Sequence, residues 1–205
     1  MAQNELLVGT STKKTGQVVA RGTYTGETAV VDAHARYMDA VLGGNVFVAA
    51  NVASQALSLG SATATGLVLT NPAGSGKNLV VLEIASYISA AITAVANVAV
   101  FVNKVPTAAA VVQTTPVTPT TALVGGATGV GLVASAATLP AAPTLVRSLY
   151  GWHWVTAGTP AVQLGAKDEV AGAIILQPGT SLSVQGVTVA HSAISSITWE
   201  EVPLA

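Results

Sequence analysis

Charge is the scarcest property of this sequence. Only 8% of its 205 residues are Asp, Glu, Lys or Arg, against about 25% in an ordinary soluble domain. Between Ala40 and Val146 the charged side chains are Lys77, Glu83 and Lys104 and nothing more. A surface so poor in charge suits a chain covered by copies of itself or by a larger assembly. Cysteine is absent, which excludes disulfides and thiolate metal sites. Aromatic residues make up 4%. The net charge of −1 supplies no field to attract nucleic acid or an anionic membrane. Met1 to Thr10 has neither the basic start nor the apolar core of a signal peptide, so synthesis in a cytoplasm is expected.

What is present is Ala, Val, Thr, Gly and Ser, with a mean hydropathy of +0.61. The longest uncharged apolar stretch, Ile84 to Val102, has the length of a membrane span. Ser86, Tyr87, Ser89, Thr93 and Asn97 interrupt it, and Leu, Ile and Phe are sparse, so two strands joined by a turn near Ser89–Thr93 are expected instead.

Residues 1–42 stand apart and carry close to half of the charged residues. Thr10 to Gly16 is polar and without apolar period, which reads as an arm. Asp32 to Leu42 reads as a short helix, capped by Asp32, stopped by Gly43-Gly44, with Tyr37, Met38, Val41 and Leu42 on one side. The arm's cations Lys13, Lys14, Arg21 and Arg36 are candidates for contact with a partner. The alternative is that Val18-Val19 and Ala29-Val30-Val31 supply the first strands of the body.

From residue 43 to the end the pattern is that of strands. Val46–Val48, Gly66–Leu69, Leu79–Ala85, Val95–Val102, Leu149–Val155, Ala173–Leu176, Ser181–Val184 and Ile194–Val202 are short, β-rich and separated by Gly, Pro, Asn and Ser. Alternation places Val80, Leu82 and Ile84 on one face, and Ile197 with Trp199 on another, opposite Thr198 and Glu200. The expected fold is an all-β, jelly-roll-like antiparallel sandwich over residues 43–205. Residues 103–146 form a Pro/Thr/Ala-rich insertion, since Pro106, Pro116 and Pro119 do not suit strand interiors. With so little charge to solvate it, the insertion is expected to be ordered and packed on something.

Candidate chemistry is thin. Asn71 to Asn78 has the outline of a phosphate loop, but Asn71 replaces the first Gly, Asn78 replaces the metal-binding hydroxyl, and a strand follows. A loop joining two antiparallel strands is the expected structure. Tyr150, Trp152 and Trp154 recur at every second residue and form an aromatic row on one face of a strand, suited to a core or a subunit contact, or to stacking a sugar. His34, His153 and His191 have no ligand spacing. Lys167-Asp168-Glu169 reads as a solvated turn. Glu200 and Glu201 point to opposite faces and cannot act as an acid/base pair. Ser58 and Ser61 lack a nucleophile elbow. No catalytic group, metal site or cofactor is expected.

Three stretches carry a resemblance: Gly66–Glu83 with its Asn-Pro-Ala-Gly-Ser-Gly-Lys loop, Leu176–Val184 with its Pro-Gly entry, and Ile197–Pro203 with Trp-Glu-Glu. Together they resemble virion structural proteins of tailed bacteriophages, in particular jelly-roll capsid cement or decoration proteins. The resemblance implies a homotrimer, attachment to the major capsid protein on the outside of the phage head, and no catalysis. It does not extend to residues 1–42 or 103–146. Other readings are a tail, spike or fibre component binding a host glycan, an exported pilus-like subunit, and a small enzyme on a β-scaffold.

Overall fold

A computed structural model describes residues 6–8, 18–20, 36–90, 95–103, 110–152 and 165–204; the side chains of 6–8, 18–20 and 152 are outside that description. The chain divides into two compact units, Met1–Asp39 and Ala40–Ala205. In the first, β1 (Leu6–Val8) pairs antiparallel with β2 (Val18–Ala20), and the two make a sheet of their own. The helix α1 (Met38–Leu42) is shorter than the apolar spacing predicts and buries none of its side chains. Its stop is where Gly43-Gly44 places it: Gly44 adopts φ +72° and Asn45 N donates to Ala40 O at 3.1 Å, a closure that only glycine makes without strain. The expected cap, Asp32, lies outside the described residues, as do Thr10–Gly16 and Ala29–Val31.

The second unit is an all-β sandwich. Its strands are β3 (Val46–Ala50), β4 (Gln55–Ala56), β5 (Thr63–Thr70), β6 (Lys77–Ile88), β7 (Ala96–Val102), β8 (Val112–Val117), β9 (Thr120–Thr121), β10 (Leu132–Thr138), β11 (Thr144–Trp152), β12 (Gly165–Asp168), β13 (Ile174–Leu176), β14 (Ser181–Gly186) and β15 (Ser192–Pro203). One sheet runs β11-β7-β14-β5-β10-β8. The other runs β12-β6-β15-β3-β9, with β13 also along β6 and β4 along β15. The named strand pairs are antiparallel.

The core lies between the sheets. Leu67, Leu69, Val98, Val100, Leu182 and Val184 from one meet Leu79, Val81, Ile84, Ile197 and Trp199 from the other. Trp199 stacks on Phe47 with ring centroids 6.0 Å apart, a contact that adds geometry to burial. In β15 alternate residues are buried from Ala193 to Glu201, as period two demands. In β6 the register slips opposite Thr198–Trp199. This bulge moves Val81 into phase with Ile84, so Leu79, Val81 and Ile84 face the core while Val80 is only half-buried. The expected face of Val80, Leu82 and Ile84 is therefore corrected, because one extra residue reverses an alternation.

Strand β14 is buried on both faces. The loop Ser58–Ser61 is tied to the face of β14 away from the core, held by Gln185: its Oε1 accepts from Ser58 Oγ and Ser61 N at 2.8 Å each, and its Nε2 donates to Ser61 O and Ser183 Oγ. A fully bonded amide is the form in which such a buried polar side chain is tolerated.

Residues 104–109, Pro106 among them, lie outside the described residues; from residue 110 onward the insertion packs on its own body. β10 pairs with β5 and β8 extends that sheet beyond it, while β9 extends the other sheet beside β3. Pro116 sits in β8, the outermost strand, where a missing N–H is tolerated. Thr144 to Val146, placed in the insertion by the sequence reading, begin β11. Lys167 and Asp168 are strand residues of β12 rather than a turn, and β5 and β6 belong to different sheets, so the Asn71–Gly76 loop crosses between layers.

Candidate functional site

The three stretches that carry the resemblance converge in space. Asn71 ties the first two together and is fully buried. Its Nδ2 donates to Lys77 O and to Leu176 O, each at 2.8 Å, and its Oδ1 accepts from Ser75 Oγ at 2.6 Å. Its backbone N donates to Thr180 O, and Gly179 N donates to its carbonyl. One side chain thus closes the Gly-Ser-Gly loop on itself and ties it to the Pro-Gly turn entering β14. Asn suits the position because it offers two donors and an acceptor from one short side chain.

Lys77, the first residue of β6 after the loop, reaches the third stretch. Its Nζ donates to Glu201 Oε2 at 2.9 Å. The carboxylate's other oxygen accepts from Val130 N at 2.7 Å and Gly131 N at 2.9 Å. The Glu201 side chain is 0% exposed and that of Lys77 33%. A Cβ on Gly129 would overlap the carboxylate, and one on Gly131 would press on the Trp199 indole at 3.0 Å. The glycines let the insertion's backbone approach close enough to donate. Glu201 therefore fastens the end of the insertion to the last strand.

This arrangement determines what the site can do. Both oxygens of this carboxylate are held by donors and the side chain is shut off from solvent, so it acts as a clamp. Lys77 is held by that clamp, and β6 rather than a helix follows, so the loop is not a phosphate cradle.

The sequence-predicted site residues fare unevenly. Lys13, Lys14 and Arg21 lie outside the described residues; Arg36 places its guanidinium 5.3 Å from the centre of the Tyr37 ring. Of the aromatic row, Trp154 and the side chain of Trp152 also lie outside them. Tyr150 is half-buried and packs on the core, with its hydroxyl 3.5 Å from Ser86 Oγ. Burial pushes the Tyr150 phenol above its ordinary value near 10, and the Ser86 hydroxyl opposes the rise. Ser86 in turn bonds Ser195 Oγ at 2.9 Å. His191 is buried with Nδ1 2.8 Å from Val189 O; His34 and His153 are outside the description. Among the described residues no group of three or more His, Asp or Glu is placed to hold a metal, and no helix is long and apolar enough to cross a membrane. Sequence reasoning named Asn71 and Glu201 without finding their roles, and missed Gln185. Glu201 had a signal: it alternates in phase with Ile197 and Trp199.

Five other charged side chains of the body, Arg147, Asp168, Lys167, Glu83 and Glu169, are also turned on one another. Arg147 of β11 makes a two-pronged pair with Asp168 of β12, its Nη2 at 2.9 Å from Oδ1. Lys167 pairs with Glu83 at 2.8 Å and approaches Glu169 at 3.8 Å. Because β11 and β12 end their respective sheets, the Arg147–Asp168 pair clips the two layers along that side. Meanwhile apolar side chains stand in solvent, Val52 at 95% and Val124 at 90% exposure among them.

Searches against protein-family models, curated proteins and solved structures find no match for this chain. What the coordinates define is a class, an antiparallel β-sandwich with an insertion fastened by a buried carboxylate.

Proposed function

We propose that this protein is a non-enzymatic structural subunit, a cement or decoration protein that binds the major capsid protein on the outside of a phage head and associates with itself as a trimer. The observation that carries the reading is the pairing of charges within the body together with exposed Val52, Val124, Val112 and Ile175. Ion pairs at a surface contribute little stability, but they leave few free charges to oppose burial against another subunit. Apolar area buried in such contacts is worth about 25 cal/mol per Å².

The finer jelly-roll reading is supported by strand order. With β12 and β13 taken as one interrupted strand, the sheets read first-last-third-sixth (β3, β15, β6, β12/β13) and second-seventh-fourth-fifth (β5, β14, β7, β11). The insertion strands β8, β9 and β10 attach outside that set. The phage assignment rests on the resemblance of the three stretches, whose convergence around Asn71 and Glu201 gives them a shared structural purpose.

Two measurements test the reading. Light scattering on the purified protein is expected to give the mass of a trimer; a stable monomer at micromolar concentration rejects self-association. Quantitative mass spectrometry of purified virus particles is expected to find the chain in many copies per head. Its absence from particles rejects the virion role.

A further inference from the structure

A cleft of about 400 Å³ opens beside β13, lined by Asn78, Val102, Asn103, Ile174–Gln177 and Thr180. Successive strand residues point to opposite faces, so a cleft touching Ile174, Ile175 and Leu176 together runs along the strand's edge. β13 pairs with β6 on one side; among the described residues no strand pairs with its other side. Ile175 is 54% exposed. The lining contains no ionisable side chain. Three carboxamides, Asn78, Asn103 and Gln177, supply its polarity, and the Asn78 Oδ1 is buried without a hydrogen-bond donor.

We infer that this cleft takes an extended, uncharged peptide segment, added as a strand to the open edge of β13. An unpaired strand edge presents alternating N–H and C=O groups that a second backbone satisfies. A side-chain carboxamide offers the same donor and acceptor as a peptide group; Asn103 is buried with its Nδ2 donating to Ser181 Oγ at 3.1 Å, so it is Asn78 and Gln177 that match a backbone better than they match an ion. The partly buried Val102 and Ile174 give apolar contacts for side chains of the incoming strand. A charged segment finds no counter-ion here and loses its hydration on entry. The inference stands whether or not the protein decorates a capsid.

The test uses the full ¹⁵N-labelled chain and a blocked pentapeptide of alternating Thr and Val. The expected result is saturable shifts of the Asn78, Asn103 and Gln177 side-chain amides and of the Ile174–Gln177 backbone. The same peptide N-methylated at alternate residues lacks the strand donors and is expected to bind roughly tenfold more weakly or not at all. A version with a central Lys is expected to weaken likewise. Methyl glucoside serves as the small neutral control and is expected to leave these signals in place. Equal binding of the N-methylated peptide, shifts with the glucoside in place of the peptide, or no shift with the peptide each overturns the inference. Light scattering on the same sample reports self-association separately, so failure here is distinguishable from failure of the proposed function.

Discussion

Lys77 and Glu201, separated by most of the domain in sequence, meet at 2.9 Å where the first residue of β6 crosses the end of β15. The pair joins a loop, a last strand and an insertion, because the same carboxylate also holds Val130 and Gly131. Removing the carboxylate leaves two backbone donors and an ammonium without their acceptor. Glu201→Ala is expected to cost about 3 kcal/mol, the usual loss when a buried partner is deleted, discounted at Lys77 because that side chain is one-third exposed. Glu201→Gln keeps an acceptor oxygen and is expected to cost less. Urea denaturation of the two variants checks both the size and the order.

Gly129 tests the same clamp from the other side. A methyl group there overlaps the Glu201 carboxylate, so Gly129→Ala is expected to destabilise by about 1–3 kcal/mol, as overpacking does. In a Glu201→Ala background the overlap with the carboxylate is gone and the Phe47 ring at 3.0 Å remains, so the added cost is expected to shrink. A double-mutant cycle that finds the two changes additive rejects the contact.

Asn71 is expected to be as sensitive as any core residue. Asn71→Asp keeps the acceptor for Ser75 but withdraws the donors that Lys77 O and Leu176 O share. It places a carboxylate against two carbonyls, and a loss of about 2–4 kcal/mol is expected for a buried charge without a partner. Adding ATP is expected to leave the melting temperature of the unaltered protein unchanged, because the loop is already filled by its own side chains. A rise in melting temperature with ATP rejects that account.

Tyr150 sets an alkaline limit. Burial raises its pKa in the folded state, so the folded protein holds the phenolic proton more tightly than the unfolded chain. The associated stability is fully present below the unfolded value near 10 and is lost as pH rises through the folded value. Denaturation midpoints are expected to fall above about pH 10, and Tyr150→Phe is expected to flatten that fall. An identical alkaline slope in the variant rejects the assignment to Tyr150.

The N-terminal region gives the last prediction. β1 and β2 pair with each other and belong to neither sheet of the sandwich, and a two-stranded hairpin contributes little stability alone. Deleting residues 1–16 is expected to shift the melting temperature by no more than about 2 °C and, under the proposed capsid role, to abolish binding to virus particles. A truncated protein that unfolds, or one that attaches as before, rejects the arm as a partner contact.

The sequence by itself determined what is local. Period-two alternation marked β15, Gly and Pro placed the turns, Gly43-Gly44 stopped the helix, and the scarcity of charge was a matter of counting. Each depends on neighbours a few residues away. The β-sandwich class followed from those short segments and their spacing. Tertiary structure decided everything that depends on a distant partner. The bulge opposite Thr198 exchanged the faces of β6, because register is set by the strand alongside and not by the strand itself. The Ala-rich stretch of β10 became a strand because β5 offered an edge, although Ala134, Ala136 and Ala137 within it do not favour an extended form. Glu201 was readable as a charged residue in phase with Ile197 and Trp199. That it is matched by Lys77, Val130 and Gly131 was not, because a buried carboxylate needs donors that only the folded chain brings within reach.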